Sequence, residues 1–345
     1  MQLTTSLPFP HLTFKHWNLQ DREVAILIVK GTFGVQADGN LGVMPEQLSI
    51  AEVDVFWGDE NASSLQSEQD LAPAKPKTDV VVNAVARAPN EEPLTDWPVS
   101  IEIKDHTFYE FYVRGPSEWH KERGKWRLGE PEPVIEVPIR YESAYGGSAP
   151  TDDAPEHYDF NPVGRGFVNE RLMEQDDPIP APQIGDIAEF MAGDIKAPMT
   201  VHGLGPIAKA WLPRRNEAGT FNDAWQNTRH PRMPKDYSFA FWNCAPKRLQ
   251  IEPQLIGGEE FILKGFQHKP KPYEFKLPDI GVAIHLGGPN GPKADLTLTD
   301  VQIDIESTEP SEHHICLVWR AMISDPDEIE TLHIAATQLK DTKDE

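Results

Sequence analysis

Apolar and polar residues alternate in short blocks along this chain, with turn-forming residues between the blocks. Residues 12–35, LTFKHWNLQDREVAILIVKGTFGV, read as two strands across a polar turn at Asn18–Glu23. VAILIVK is short and rich in β-branched residues, with Gly31 and Gly34 close behind, so strand is predicted over helix. Further strands are predicted at 53–57, 79–86, 99–103, 108–113 and 133–141. In the last, Ile135, Val137 and Ile139 share one side, the signature of a half-buried strand.

The β pattern returns after residue 237 in FAFW, EFILKGF, YEFKLP, VAIHL, ADLTLTDVQIDI and HICLVWR. In LTLTDVQIDI the apolar phase slips at Asp300, between Leu298 and Val301, so a bulge or tight turn is predicted there. VQIDIES and HHICLVWR then form a hairpin around STEPSE.

Three stretches break the alternation. Residues 61–78, NASSLQSEQDLAPAKPKT, are polar and proline-bearing and predict an exposed loop. Residues 148–236 contain many prolines and no clear strand, yet they carry Phe160, Phe190, Trp211 and Trp225, so they are predicted to pack as an irregular layer. SDPDEIETLHIAATQLK predicts a C-terminal helix: Asp325 as cap, Pro326 in the first turn, and Ile329, Leu332, Ala336 and Leu339 as an apolar stripe. The last residues, DTKDE, are predicted to fray.

The predicted fold is therefore mainly β: sandwich-like antiparallel sheets with a long irregular Pro/Gly-rich layer and one C-terminal helix. Its parts are a β-rich N-terminal part at 1–147, the irregular layer at 148–236, a β-rich part at 237–323 and the helix at 324–340, together forming one composite domain. The 32 prolines in 345 residues, roughly twice the usual share of about 5%, agree with many short elements.

Charge narrows the partners. Lys+Arg 32 against Asp+Glu 55 gives −23, so the average surface repels nucleic acid and favours neutral or basic proteins. Cys244 and Cys316 lack metal-ligand spacing and predict two reduced, buried thiols. The start, MQLTTSLPFPHLTFKHW, lacks the pattern of a signal peptide, and no apolar run is long enough to span a bilayer. A soluble cytoplasmic protein without membrane insertion is expected.

Catalytic motifs are mostly missing. GRG in NPVGRGF lacks the third glycine of a dinucleotide fingerprint, and HLGGPNGPKAD has Pro292 where a phosphate-loop helix would start. YGGSAP has Pro150 where a nucleophile elbow continues into helix. His313 and His314 are adjacent, hence on opposite faces of a strand, and no HExxH occurs. No cofactor, metal or catalytic residue is predicted. The aromatics from Trp211 to Trp225, edged by Arg214, could instead form a shelf for a glycan or peptide.

KTDVVVNAVARAP, WPVSIEI, VPIRYESAYGG, NPVGRGF, GPIAKAWLPR, GTFNDAW and FAFWNCAP occur in this order. Together they resemble a bacterial family first catalogued as a domain of unknown function and associated with type VI secretion, as adaptors that load effector toxins onto the spike. The resemblance covers roughly residues 8 to 320. Its signature positions here include Arg140, Tyr141, Tyr145, Gly146 and Gly147, then Asn161, Gly164, Arg165 and Gly166, then Trp211, Arg214, Asp223 and Trp225. It implies binding rather than turnover, with an effector protein and a spike or PAAR-type protein as partners. The alternative is a glycan- or peptide-acting enzyme, or a carbohydrate-binding module, using Trp211–Trp225. Within the signature, NPVGRGF reads as a turn in which Arg165 bridges to carbonyls or a carboxylate of a neighbouring segment.

Overall fold

The computed structural model describes residues 2–338. Eight strands form the largest sheet: β1 (His11–Trp17), β2 (Glu23–Val35), β3 (Leu41–Val43), β4 (Thr78–Arg87), β5 (Glu136–Pro138), β6 (Gln250–Ile251), β7 (Thr297–Ile305) and β8 (His314–Ser324). Their order is β5, β4, β7, β8, β2, β1, with β6 beside β4 and β3 beside β2. Neighbours are antiparallel except β4 and β7. Residues 1–147 and 237–323 thus contribute interleaved strands to one sheet.

Alternation decides what each face carries. Leu27, Val29 and Phe33 of β2, Val80 and Val82 of β4, Val301 and Ile303 of β7, and Leu317 and Trp319 of β8 all enter the main core. A five-stranded antiparallel sheet supplies the other half, including Val99 and Ile101 of Asp96–Ile103, Phe111 of Thr107–Arg114 and Phe261 of Glu260–Lys264. The two sheets form the predicted sandwich. VAILIV shows no alternation because both of its faces are covered: Val24, Ile26 and Ile28 join Val318 in a smaller cluster on the far side. The predicted slip is present, with the β7 and β8 register shifting between Leu298 and Asp300.

The C-terminal helix is not formed. Asp325 adopts φ 51 and caps nothing, Pro326–Glu328 makes one short turn, and Thr331–Gln338 is a strand. That strand lies parallel to Gln2–Thr5 and antiparallel to Ile280–Leu286, placing Leu332 and Ile334 in the core at a period of two. A helix would leave both neighbouring edges without hydrogen-bond partners, and this tertiary demand outweighs the local capping pattern. Residues 339–340 of the predicted helix, with the terminal DTKDE, lie outside the described residues.

Three other readings change. FAFW is a 3-10 turn, Phe239–Trp242. Only Val55–Phe56 of residues 53–57 pairs as strand. Within 133–141 the strand shrinks to β5 with a single bridge from Val134 to Leu94, and Ile135 is 43% exposed while Val137 and Ile139 are buried. The irregular layer is packed as expected, with Ile184, Leu204 and Trp211 buried. Among the described residues no helix is long and apolar enough to cross a membrane.

The segment 61–78 departs furthest from expectation. Ser64, Leu65, Glu68, Asp70, Ala72 and Lys75 are buried, because the segment lies over the second face of the eight-stranded sheet. That face carries Lys30, Asp300, Gln302, Cys316 and Arg320, so the cover must bring polar partners of its own.

Candidate protein-binding groove at the glycine-rich signature

The signature blocks converge on one knot of backbone. Tyr145–Gly146 pairs in parallel with Arg165–Gly166, bringing AYGG against NPVGRGF. Asn161 is fully buried between them, and its Nδ2 donates to the carbonyls of Tyr141 at 2.8 Å and Tyr145 at 3.0 Å. Its own carbonyl accepts from the Gly147 amide at 2.8 Å. Gly146 sits at φ 146, and a Cβ there would overlap the Asn161 carbonyl. Gly164 has no such φ; a side chain there would press to 2.6 Å from the Ala144 carbonyl.

Arg165 acts as the proposed bridge. Its Nε donates to the Glu142 carbonyl at 2.8 Å and one terminal nitrogen to Gln183 Oε1 at 3.3 Å. Burial draws this guanidinium below its usual range, with Glu142 opposing the shift. Arg140 stacks 3.7 Å over Trp57 and reaches Glu306 at 2.6 Å. Tyr141 donates to the Gly205 carbonyl at 3.1 Å and meets Trp211 edge-on at 5.6 Å. Burial pushes the Tyr145 hydroxyl up to about 12.

Arg214 belongs to a second cluster. It grips Glu68 with two bonds of 2.6 and 2.5 Å and donates to the carbonyls of Ile207 and Phe241. Asp223 and Trp225 lie elsewhere, on α1 (Asp223–Thr228), whose cap is Asn222 accepting from the Trp225 amide at 2.9 Å. Trp225 meets the exposed Phe221 edge-on at 4.7 Å. The shelf drawn from Trp211 to Trp225 is therefore split, since Trp211 is buried.

Beside the knot lies an open groove of about 610 Å³, lined among others by Asp54, Phe56, Gly147, Pro162, Lys209 and Trp211. Gly147, Pro162, Gly164 and Trp211 take part in both knot and groove, so the signature shapes this surface. Lys209 crosses it to Asp54 at 2.8 Å.

Sequence reasoning missed a buried polar seam beneath the 61–78 cover. Lys75 bridges Asp79 at 2.7 Å and Asp300 at 2.6 Å, while Arg320 binds Asp300 and Thr299. Lys30 holds Asp70 at 2.9 Å, and Gln302 donates to the other Asp70 oxygen at 2.9 Å. Burial alone would lower the Lys75 ammonium, but Asp300 and Asp79 hold it above its usual range. Burial would raise the Asp300 carboxyl, and Arg320 and Lys75 instead hold it well below the carboxylate range. A cavity of about 280 Å³ in this seam also touches Cys244 and Cys316, whose thiols are pushed up by burial. Asp300, Gln302 and Asp304 alternate with the core residues of β7, which was the available signal.

Among the described residues no group of three or more His, Cys, Asp or Glu side chains is arranged to hold a metal. A family model described as "Uncharacterized protein conserved in bacteria (DUF2169)" matches residues 20–320. No curated protein and no solved structure matches the chain. The match spans most of the sequence and takes in the whole knot, its groove and the covered seam: the chain belongs to the bacterial family DUF2169.

Proposed function

We propose that this chain is a non-enzymatic adaptor that binds a type VI secretion effector and helps load it onto a spike or PAAR-type protein in the cytoplasm. The ordered signature blocks resemble adaptors of that system. One observation carries the reading: the polar groups at the centre of the knot, Asn161 and Arg165, are turned inward onto backbone. Asn161 and Arg165 donate to carbonyls, and what their bonds shape is an open groove. A broad, rigidly held surface of this kind suits recognition of a macromolecule, where a few anchors carry most of the affinity. The buried thiols are poor nucleophiles, because burial raises the cost of the thiolate.

The test is genetic and biochemical. Deleting the gene in its host is expected to stop delivery of one effector while other substrates of the same apparatus are still secreted. Unchanged delivery of every effector would contradict the reading. A second reading, a carbohydrate-binding module, is favoured only by the exposed Phe221 beside Trp225. Glycan binding that is lost in W225A would support it.

A further inference from the structure

A small module with its own core stands beside the sandwich. Glu118–Glu122 and Lys125–Leu128 form a hairpin, and Ile179–Pro180 pairs with the outer side of the first strand. Arg123 and Gly124 at its tip have φ of 51 and 76, suiting a two-residue primed turn. Trp119, Ile179 and Ile195 are its buried anchors, and Trp126 and Leu128 pack against them.

Lys125–Leu128 is an edge strand, paired among the described residues only with Glu118–Glu122. Lys125 and Glu122 close the turn as a hydrogen-bonded pair, so His120 and Arg127 form the next such pair. The amides and carbonyls of Trp126 and Leu128 therefore point to the open side, where they meet no backbone partner among the described residues. The strand is also two-faced: Trp126 and Leu128 lie on the apolar side, while Lys125 and Arg127 are exposed on the other. Lys121 is held by Asp176 at 2.9 Å, but Arg123, Lys125 and Arg127 form no salt bridge among the described residues, in a chain of net charge −23. A groove of about 920 Å³ runs beside the edge, bordered by Lys125, Trp126, Met173, Ile195 and Lys196.

We propose that this edge accepts an extended segment of the partner protein as an added strand, its residues alternating between apolar and acidic. The segment's amides and carbonyls complete the ladder at Trp126 and Leu128. Its apolar residues continue the Trp126 side, and its carboxylates meet Arg123, Lys125 and Arg127. The partner's identity as an effector or spike protein rests on the adaptor reading; the strand-addition chemistry does not. Nucleic acid is disfavoured because these few cations sit within a strongly acidic surface.

The experiment titrates the full chain into a short fluorescein-labelled peptide of alternating valine and glutamate, and into its valine–lysine counterpart, by fluorescence anisotropy. The glutamate peptide is expected to bind at least about tenfold more tightly than the lysine peptide, and K125E/R127E to reverse that order. N-methylating the alternate amides that face the edge is expected to abolish binding, while methylating the intervening ones preserves it; this arm uses the unaltered chain. Equal affinity for the two peptides overturns the proposal, as does indifference to N-methylation. Binding of duplex DNA or phosphatidylglycerol vesicles through Lys125 and Arg127, with no peptide binding, also overturns it: the lysine and arginine then serve some other anion or only deter edge pairing. If K125E/R127E still binds the effector, strand addition for that cargo fails and the adaptor reading stands; if the unaltered chain binds no effector, the adaptor reading fails and the peptide result still judges the edge.

Discussion

The two faces of the eight-stranded sheet solve the same burial problem in opposite ways. One face packs Leu27, Val82, Ile303 and Trp319 against a second sheet, where shape and volume suffice. The other sets Lys30, Asp300, Gln302 and Arg320 against a strap of polar chain that must arrive in one register to pair them. A buried ion pair stabilises little relative to an apolar replacement of the same shape, yet removing one partner strands the other charge. The apolar face therefore tolerates exchange of similar residues, whereas the polar face specifies where segment 61–78 lies.

The sharpest way to break this comparison is to cut one residue from each face. Asp300→Ala leaves Lys75 and Arg320 facing each other across a lost carboxylate, and is expected to lower unfolding free energy by about 3–5 kcal/mol. Phe33→Ala, a cavity on the apolar face, is expected to cost a similar amount, about 3–5 kcal/mol. Urea unfolding of both variants checks the pair; a near-neutral Asp300→Ala would show that the seam is wet and slack.

The seam also gives the faces different responses to acid. The folded Asp300 carboxyl lies below its unfolded value, so its contribution is complete above about pH 3.9 and fades as pH falls beneath that. Lys75 behaves in the opposite sense: its contribution is complete below about pH 10.4 and is lost as pH rises through its raised value. Urea midpoints measured from neutral pH into acid are expected to fall in the unaltered chain and to fall less steeply in Asp300→Asn.

A smaller effect is expected at the signature knot. Asn161→Ala removes two buried bonds and takes the side-chain donor from the Tyr145 carbonyl, while the Tyr141 carbonyl keeps the Ala144 amide, for about 1–3 kcal/mol. Arg165→Ala, whose group is only partly buried, is expected to cost about 1–2 kcal/mol and to lower the melting temperature. An Arg165→Ala chain that melts with the unaltered protein but loses its effector would place this residue at the interface.

The same contrast explains what the sequence disclosed. Where a face meets an apolar partner, apolar patterning was enough: the unbroken β-branched run of β2, the alternation of β7, and with them β4, β8, the β7–β8 hairpin and the slip at Asp300 were legible. Where the partner is polar, the same period-two pattern in Asp300, Gln302 and Asp304 looks solvated, and 61–78 looks like a surface loop. Only the three-dimensional meeting of Asp70 with Lys30, or of Lys75 with Asp300, distinguishes a buried seam from a wet face. The C-terminal strand failed for a related reason, because Thr331–Gln338 is recruited by two edges distant in sequence. Of the candidate site, the ordered motifs indicated that Arg140 to Arg165 belong together. Composition could not show that Asn161 is the buried post holding them, nor that Trp211 and Trp225 part company.

The proposed adaptor role requires this surface to hold another protein. Light scattering on the purified chain mixed with the effector whose delivery fails in the deletion strain tests it directly. A complex of defined stoichiometry, with mass equal to the sum of its parts, is the expected result. Two species that elute unchanged at micromolar concentration, under conditions where both are folded, would contradict it.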